Sequence, residues 1–512
     1  MSMALRITPP APEVPPVEML NPDKLRIDPN WALRVPANLA LRRSMLAFAA
    51  SDNKVMVACA DPSDRAGLEA IERYTGLPAE GHQAEPEALR RLLQRVYSDP
   101  TAPPIRPQTA AEAARGPDSD EDAIGLTDEI LRFAVLRQAS DVHIEPRRDG
   151  LRIRLRVDGQ LEELRRLPAS RQTGLVSRLK VLSGMDIAEK RSPQDGAFSW
   201  SWGTGQYRPA VDIRAATVPV KYGERMTLRL LNLQTGSLTL EKIGMSPGDL
   251  QTFGRAIQAP HGLILLNGPT GSGKTTTLYA AIRELDCDAL NVVTVEDPVE
   301  YEMENITQVG VDSVEKVTFA KALRSVLRHD PDVVMVGEIR DLETADVAIK
   351  AGLTGHLVFS TLHTNSACGA ITRLVDMGVP AYLVAATLRL SAAQRLVRRL
   401  CPNCRRTRPL THAEAVALER PDATGETIYD PVGCAYCAGR GYSGRIGVYE
   451  IMMPDDEMSN LIVDGAPANR IRDAARAKGM RSLRQDAGDK VLAGITSVSE
   501  VIENTDGPDF QT

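Results

Sequence analysis

Aromatic residues are scarce: they make up 4% of the 512 residues, with only seven phenylalanines and three tryptophans. So little ring surface argues against a groove for single-stranded nucleic acid, in which bases stack on aromatic side chains. Positive charge is not in excess either. Lys and Arg total 61 against 67 Asp and Glu, a formal charge of −6, which gives no general attraction to nucleic acid or to anionic lipid. No apolar run approaches the roughly 18 residues that suggest a membrane span. The opening segment MSMALRITPPAPEVPP lacks the long apolar core of a secretory signal. The expectation is a cytoplasmic protein whose membrane role is peripheral. Cysteine is sparse as well, seven in all; four form two C-x-x-C pairs, and Cys59, Cys287 and Cys368 are scattered. In a reducing compartment this pattern predicts one metal site and buried thiols rather than disulfides.

A chain of this length is too long for one hydrophobic core, and about three or four domains are expected. Residues 98–122, SDPTAPPIRPQTAAEAARGPDSDED, are rich in Pro, Ala and acids with almost no large apolar side chain, which predicts a flexible linker. Before it, residues 1–97 hold a strand-like KVMVACA and the helical spacing Leu89, Leu92, Leu93, Val96, enough for a small module. Residues 123–240 read as an α+β domain. In LRIRLRV the residues Leu151, Ile153, Leu155 and Val157 face one way, while Arg152, Arg154 and Arg156 face the other and are expected to be solvated. QYRPAVDIRAATVPV and ERMTLRLLNL form a strand pair turned at Lys221–Gly223. In residues 241–400 the apolar runs LILL, NVVTV, DVVMV and HLVFSTL alternate with amphipathic helices, the pattern of a parallel sheet covered on both faces. The cysteine pairs occupy residues 401–440. A helical extension, 441–512, follows with runs at Asp455–Val463 and Ala466–Leu492.

The chemistry concentrates after LILL. Gly268, Pro269, Thr270, Gly271, Ser272, Gly273, Lys274 and Thr275 form a complete G-x4-G-K-[ST] loop, with Thr276 next, between a strand and a helix-favouring stretch. Glycines let successive N–H groups turn toward phosphates, Lys274 reaches the β- and γ-phosphates, and the Thr275 hydroxyl is placed to hold Mg²⁺. No N-K-x-D motif for guanine follows, so ATP is the expected nucleotide. Acidic clusters end two strands: Glu296, Asp297 and Glu300 after NVVTV, and Glu338 and Asp341 after DVVMVG. Glu338 stands where this fold organises Mg²⁺; Asp297, Glu300 and Asp341 serve equally well as caps or turn residues. His363 ends a third strand beside Ser360, Thr361 and Thr364, within reach of a γ-phosphate or a catalytic carboxylate.

Four motifs appear in order: the phosphate loop, TVEDPVEY at Thr294–Tyr301, HDPDVVMVGEIRD at His329–Asp341 and TGHLVFSTLHTN at Thr354–Asn365. With ASDVHIEP (Ala139–Pro146), VDGQ (Val157–Gln160), RSPQDG (Arg191–Gly196) and GERMTLRLL (Gly223–Leu231), they make the chain resemble the type II secretion and type IV pilus assembly ATPase superfamily over about residues 122–504. The resemblance implies a RecA-like P-loop ATPase core behind a PAS-like α+β domain, assembled as a hexameric ring. Residues 1–97 would dock on the cytoplasmic part of an inner-membrane platform protein. Hydrolysis would power pseudopilus assembly and protein export, with type IV pilus extension as the alternative. It also implies Glu296 as general base, Glu338 on Mg²⁺ and His363 in support. Arg214, Arg229, Arg324, Arg328, Arg340 and Arg373 would make nucleotide or intersubunit contacts, in the same subunit or the next. His329 departs from the Gln usual there.

Cys401, Cys404, Cys434 and Cys437, as CPNC and CAYC separated by 29 residues, match a closed tetrathiolate Zn²⁺ site that shapes a projection. A zinc ribbon on DNA, suggested by RRTRP at Arg405–Pro409, is opposed by the acidic balance. No nucleic-acid partner is expected.

Overall fold

The computed structural model describes residues 19–22, 25–51, 53–97, 120–202, 210–231, 239–311 and 317–505. The linker expected at 98–122 lies outside the described residues up to 119. A helix is already under way at Asp120–Leu136.

The N-terminal module is a three-stranded sheet. β1 (Met45–Ser51) pairs antiparallel with β2 (Lys54–Cys59), and β3 (Ala79–Gln83) runs parallel to β2. The helix Pro86–Val96 lays Leu89, Leu92, Leu93 and Val96 into its core, as their spacing predicts.

The α+β domain is one antiparallel sheet of β4 (Asp141–Arg147), β5 (Gly150–Val157), β6 (Gln160–Leu167), β7 (Gln194–Ser201), β8 (Ala210–Val220) and β9 (Gly223–Leu231), in the order β6-β5-β4-β9-β8-β7. The apolar residues of β5 are buried, and Arg152, Arg154 and Arg156 lie on the other face. The expectation that these arginines are merely solvated is corrected. Arg152 and Arg154 bind the buried Glu145 at 2.9 and 2.6 Å. Burial alone would raise the Glu145 carboxyl, but the guanidinium bonds prevail and bring it down to about 2.

The core sheet has seven strands: β10 (Gly262–Asn267), β11 (Val292–Glu296), β12 (Thr307–Gly310), β13 (Val333–Val336), β14 (Leu357–Leu362), β15 (Leu388–Leu400) and, beyond the cysteine segment, β18 (Tyr442–Met452). Their order is β12-β11-β13-β14-β10-β15-β18, parallel except for β18. Alternate residues feed two cores. Leu263, Leu265, Val334 and Val336 pack on the face of the helices Phe319–Val326 and Leu342–Leu353. Ile264, Leu266, Met335 and Phe359 pack on the face of Pro247–Ile257 and Lys274–Arg283.

Two expectations for the C-terminal part are revised. Residues 441–512 are not wholly helical, because β18 completes the core sheet; the cysteine segment, with its small hairpin β16 (Arg406–Pro409) and β17 (Thr427–Asp430), is an insertion between two paired strands. The run Ala466–Leu492 is two helices, Ala468–Ala477 and Leu483–Leu492. Gly479 takes a left-handed φ of 95° between them, and Ser482 restarts the chain with a capping box to Gln485. Among the described residues no helix is long and apolar enough to cross a membrane.

Candidate nucleotide site and tetracysteine centre

β10 ends at Asn267, whose amide donates to Ser391 Oγ at 2.9 Å and Ala392 O at 3.1 Å, so β15 holds the strand end from which the loop departs. Gly268 has φ 149°, and a Cβ there would lie 2.6 Å from Gln394 O; Gly273 has φ 90°, and a Cβ there would meet Gln394 Nε2 at 2.8 Å. Only glycine fits either place. Pro269, Thr270 and Gly271 are exposed at the loop's crest, and Ser272 is buried beneath it. Lys274 opens the helix Lys274–Arg283, with Thr275 and Thr276 half-buried in its first turn, where free N–H groups and the helix dipole favour an anion.

The Lys274 ammonium is folded onto Gly268 O at 2.7 Å and Pro269 O at 3.0 Å. Burial strips its water and the neighbouring Arg395 repels it, which together push it down to about 8 against the pull of Glu338. Glu338 stands at the end of β13, held by an ion pair to Arg340 and by His363 Nε2 at 3.1 Å. Partial burial would raise its carboxyl, yet the bonds from Arg340 and His363 outweigh this and lower it. Lys274, Glu338, Arg340 and His363 are therefore one cluster beside the loop. Asp341 takes the simpler of its two expected roles: it caps the helix Leu342–Leu353, accepting from Thr344 N at 2.8 Å.

Glu296 lies deeper. The residue is 3% exposed. One oxygen accepts from Thr294 Oγ1 at 2.6 Å and Gln308 Nε2 at 3.2 Å, and the other from the Tyr279 hydroxyl. Burial and this bond to Glu296 hold the Tyr279 phenol protonated well above its ordinary range. The carboxylate expected to activate water is thus already engaged by three donors. Four residues on, Glu300 is half-buried and lines a cavity of ≈ 1240 Å³ between the core and the α+β domain, with Asp212, Arg214, Arg283 and Tyr301.

Arg214 crosses that gap from β8 and donates to Val299 O at 2.7 Å, joining the α+β domain to the acidic box. Arg229 is not brought there; it pairs with Asp141 at 3.2 Å with its side chain 60% exposed. Arg324 pairs with Glu343 at 2.7 Å, Arg328 donates to Arg324 O at 3.0 Å, and Arg373 is exposed on the helix Gly369–Asp376. His329 lends its carbonyl to Asn291 Nδ2 at 2.8 Å. Gln394 and Arg395 belong to no sequence motif. Gln394 Oε1 accepts from Thr277 at 2.9 Å, and Arg395 donates to Asn365 Oδ1 at 2.9 Å, tying β15 to the histidine box.

The four cysteine sulfurs lie within 4.8 Å of one another, with Cys401–Cys434, Cys404–Cys437 and Cys434–Cys437 each at 3.8 Å. A tetrahedron with Zn–S bonds of about 2.3 Å has edges of about 3.8 Å. A disulfide, at about 2.05 Å, is excluded. Backbone N–H groups of Gly433, Cys434 and Gly441 point at Cys404 and Cys437 sulfurs at 3.3, 3.2 and 3.1 Å, the donor arrangement that thiolates require. The donor set fits zinc.

Residues 117–503 match the family described as "Type II/IV secretion system protein". The chain belongs to this family. Residues 16–103, whose role has no chemical signature, match the MshEN domain. Among relatives, the type II secretion system protein E of Pseudomonas aeruginosa is 41% identical over 488 residues, 92% of this chain and 96% of that protein. Its counterpart from Aeromonas hydrophila is 48% identical over 390 residues, 76% and 77% of the two chains. The type IV pilus assembly ATPase PilB of Myxococcus xanthus is 38% identical over 509 residues, 96% and 89%. Among solved structures, the pilus retraction motor PilT with bound ADP superposes with a TM-score of 0.51 at 27% identity, covering 74% of this chain and 97% of that one. The family thus extends over the α+β domain, the ATPase core and the cysteine projection described above.

Proposed function

We propose that this chain is the ATPase of a type II secretion system, a cytoplasmic motor that turns ATP hydrolysis into pseudopilus assembly and protein export. The observation that carries the reading is the Lys274, Glu338 and His363 cluster beside the phosphate loop, in a chain 41% identical to a type II secretion protein E across 92% of its length. The greater identity to protein E than to the pilus ATPase PilB supports export over pilus extension. In this reading Gly268–Thr276 hold the triphosphate, Thr275 and Glu338 hold Mg²⁺, His363 orients Glu338, and Arg214 brings the α+β domain to the nucleotide. Arg340 holds Glu338 within the subunit, and Arg229, Arg324, Arg328 and Arg373 are left for contacts between subunits.

Two carboxylates compete for the water-activating role. Glu296 was expected, but its three donors make it an anchor of the strand end. The open position of Glu300 beside Arg214 supports Glu300 instead. A strain carrying Glu300→Gln should stop exporting protein while keeping its pili, and the purified variant should bind ATP with kcat reduced about 10²-fold or more. Loss of pili with export intact would make the chain a pilus-extension ATPase. Normal turnover by Glu300→Gln, with turnover lost in Glu296→Gln, would return the base to Glu296.

The motor is proposed to work as a hexameric ring, because in a head-to-tail ring cations of one subunit reach the next nucleotide. The N-terminal module is proposed to recruit it to the cytoplasmic part of an inner-membrane partner. Specific activity should then fall on dilution to monomers, and a chain lacking residues 1–97 should leave the membrane fraction while keeping basal hydrolysis. Activity independent of dilution, or retained membrane association, contradicts the respective half.

A further inference from the structure

Between Cys434 and Cys437 the chain carries Tyr436, and its ring leaves the cysteine cluster to enter the N-terminal module. It lies 5.3 Å from the Phe48 ring and 6.0 Å from the His82 ring, and its hydroxyl is 3.3 Å from His82 Nδ1. It packs on the module's apolar core beside Leu164 of β6, while Phe133 and Leu136 of the α+β domain are buried in that same core. Three parts of the chain thus share one hydrophobic cluster.

Charged residues from the same three parts surround it. Arg26 of the module, 5% exposed, forms an ion pair with Asp158 of the α+β domain and reaches Ser443 Oγ at 3.4 Å, at the start of β18 where the chain leaves the projection. Asp158 also accepts from Gly444 N at 3.2 Å. Arg137 bridges Asp28 at 3.1 Å and Glu162 at 3.6 Å, and Arg440 lies 3.7 Å from Glu162. The three arginines meet the three acids Asp28, Asp158 and Glu162. Trp202 adds a bond to Arg95 O at 3.1 Å. A guanidinium as buried as Arg26 is tolerated only while its partner stays in place, so the module cannot shift by a few ångströms without stranding a charge.

Tyr436 depends on the cysteines for its position. It sits in the short turn Ala435–Cys437, flanked by Gly433, Gly439 and Gly441, and the backbone around it is directed at cysteine sulfur by the N–H groups of Gly433, Cys434 and Gly441. A glycine-rich loop has no side-chain packing of its own to hold a ring in one place.

We propose that the tetracysteine projection is the seat of the N-terminal module, with Tyr436 as the peg and the Arg26–Asp158 pair as the clasp, so that metal binding by the cysteines governs whether the module is docked. The inference rests on zinc occupying the cysteines; the peg itself is testable without it.

Hydrogen–deuterium exchange and small-angle scattering on the full chain read the docking directly. Tyr436→Ala should keep its zinc, since no ligand is lost, while the amides of residues 45–51 and 434–444 exchange about tenfold faster or more and the radius of gyration increases. Arg26→Asp should release the module in the same way, and adding Asp158→Arg should restore protection, which separates release from simple misfolding of the module. Chelation of the wild-type protein should reproduce the release. Unchanged exchange in zinc-loaded Tyr436→Ala overturns the peg, and absence of rescue by Asp158→Arg overturns the clasp. Chelation that removes the metal without freeing the module overturns metal control. A wild-type chain that binds no zinc fails the zinc reading instead, and Tyr436→Ala then decides the peg alone.

Discussion

Lys274→Ala lowers ATP affinity and turnover together, with kcat down by about 10²-fold or more. Among the described residues, the direct partners of the ammonium are the carbonyls of Gly268 and Pro269, at 2.7 and 3.0 Å. Neither neutralises it, and its buried position beside Arg395 brings it down to about 8. A triphosphate supplies a counter-charge in direct contact, and the desolvation that lowers the amine strengthens its bond to phosphate. Loss of the amine removes a contact that grows as charge builds on the transferring phosphoryl group. The shift also sets a pH window. The folded amine titrates near 8 and free lysine at 10.5, so the unfolded chain binds more protons between those values. The lysine's cost to the empty protein is therefore fully present below pH 8 and is relieved as pH rises toward 10.5. Lys274→Ala should erase this contribution to the pH dependence of unfolding. Calorimetric ATP binding, steady-state turnover and denaturant titration at pH 7 and 9.5 check each part; a variant with near-normal kcat sinks the role given to Lys274.

Cys434→Ser is expected to empty the metal site and unfold the turns around it. Zinc in a tetrathiolate site contributes about 10–16 kcal/mol of binding free energy, which in a loop-rich segment is folding free energy. The turns that carry the cysteines have little else to rely on, with Gly433, Gly439 and Gly441 among them, whereas Leu410, Leu418 and Ile428 of the same insertion are packed against Leu483 and Val491. A serine hydroxyl in place of a thiolate leaves three ligands and an uncompensated site. Elemental analysis should find one Zn²⁺ per wild-type chain and much less in the variant, and proteolysis should cut within residues 401–440. ATP binding should persist, because the phosphate loop is held by β10, β14 and β15 through Asn267, Ser391 and Gln394 rather than by the projection. Metal-free wild-type protein with Cys401 in a disulfide would refute both the metal and the reducing compartment.

Much of this was legible in one dimension. The phosphate loop, the strand-end Glu338, the His363 box and the two cysteine pairs are local strings, and their chemistry requires those residues at that spacing. Strand alternation in β5 and the apolar runs of β10, β11, β13 and β14 follow from periodicity alone. The edge of the core sheet was not legible. β15, with its run LRLSAAQRLVRRL, shows no clean period because it is buried on both sides in its first half and half-exposed in the rest. β18 pairs with it only across the inserted cysteine segment. The C-terminal helical run was overextended because helical periodicity continues across a break set by Gly479 and Ser482.

By itself, then, the sequence determined which chemical groups the protein carries and most of the elements that bear them, because those depend on neighbours a few residues apart. The tertiary structure decided which of those groups are free to act. Glu296 and Glu300 are nearly equivalent in the string TVEDPVEY, and only the folding of Tyr279 and Gln308 against one of them occupies it and leaves the other open. Arg214 and Arg229 face each other across β8 and β9, yet one reaches Val299 in the core and the other turns to Asp141. Tyr436 meets Phe48 and His82 from more than 350 positions away along the chain. Contacts of that reach leave no periodic trace, because they are set by how separately folded layers pack and where burial forces each charge to find a partner.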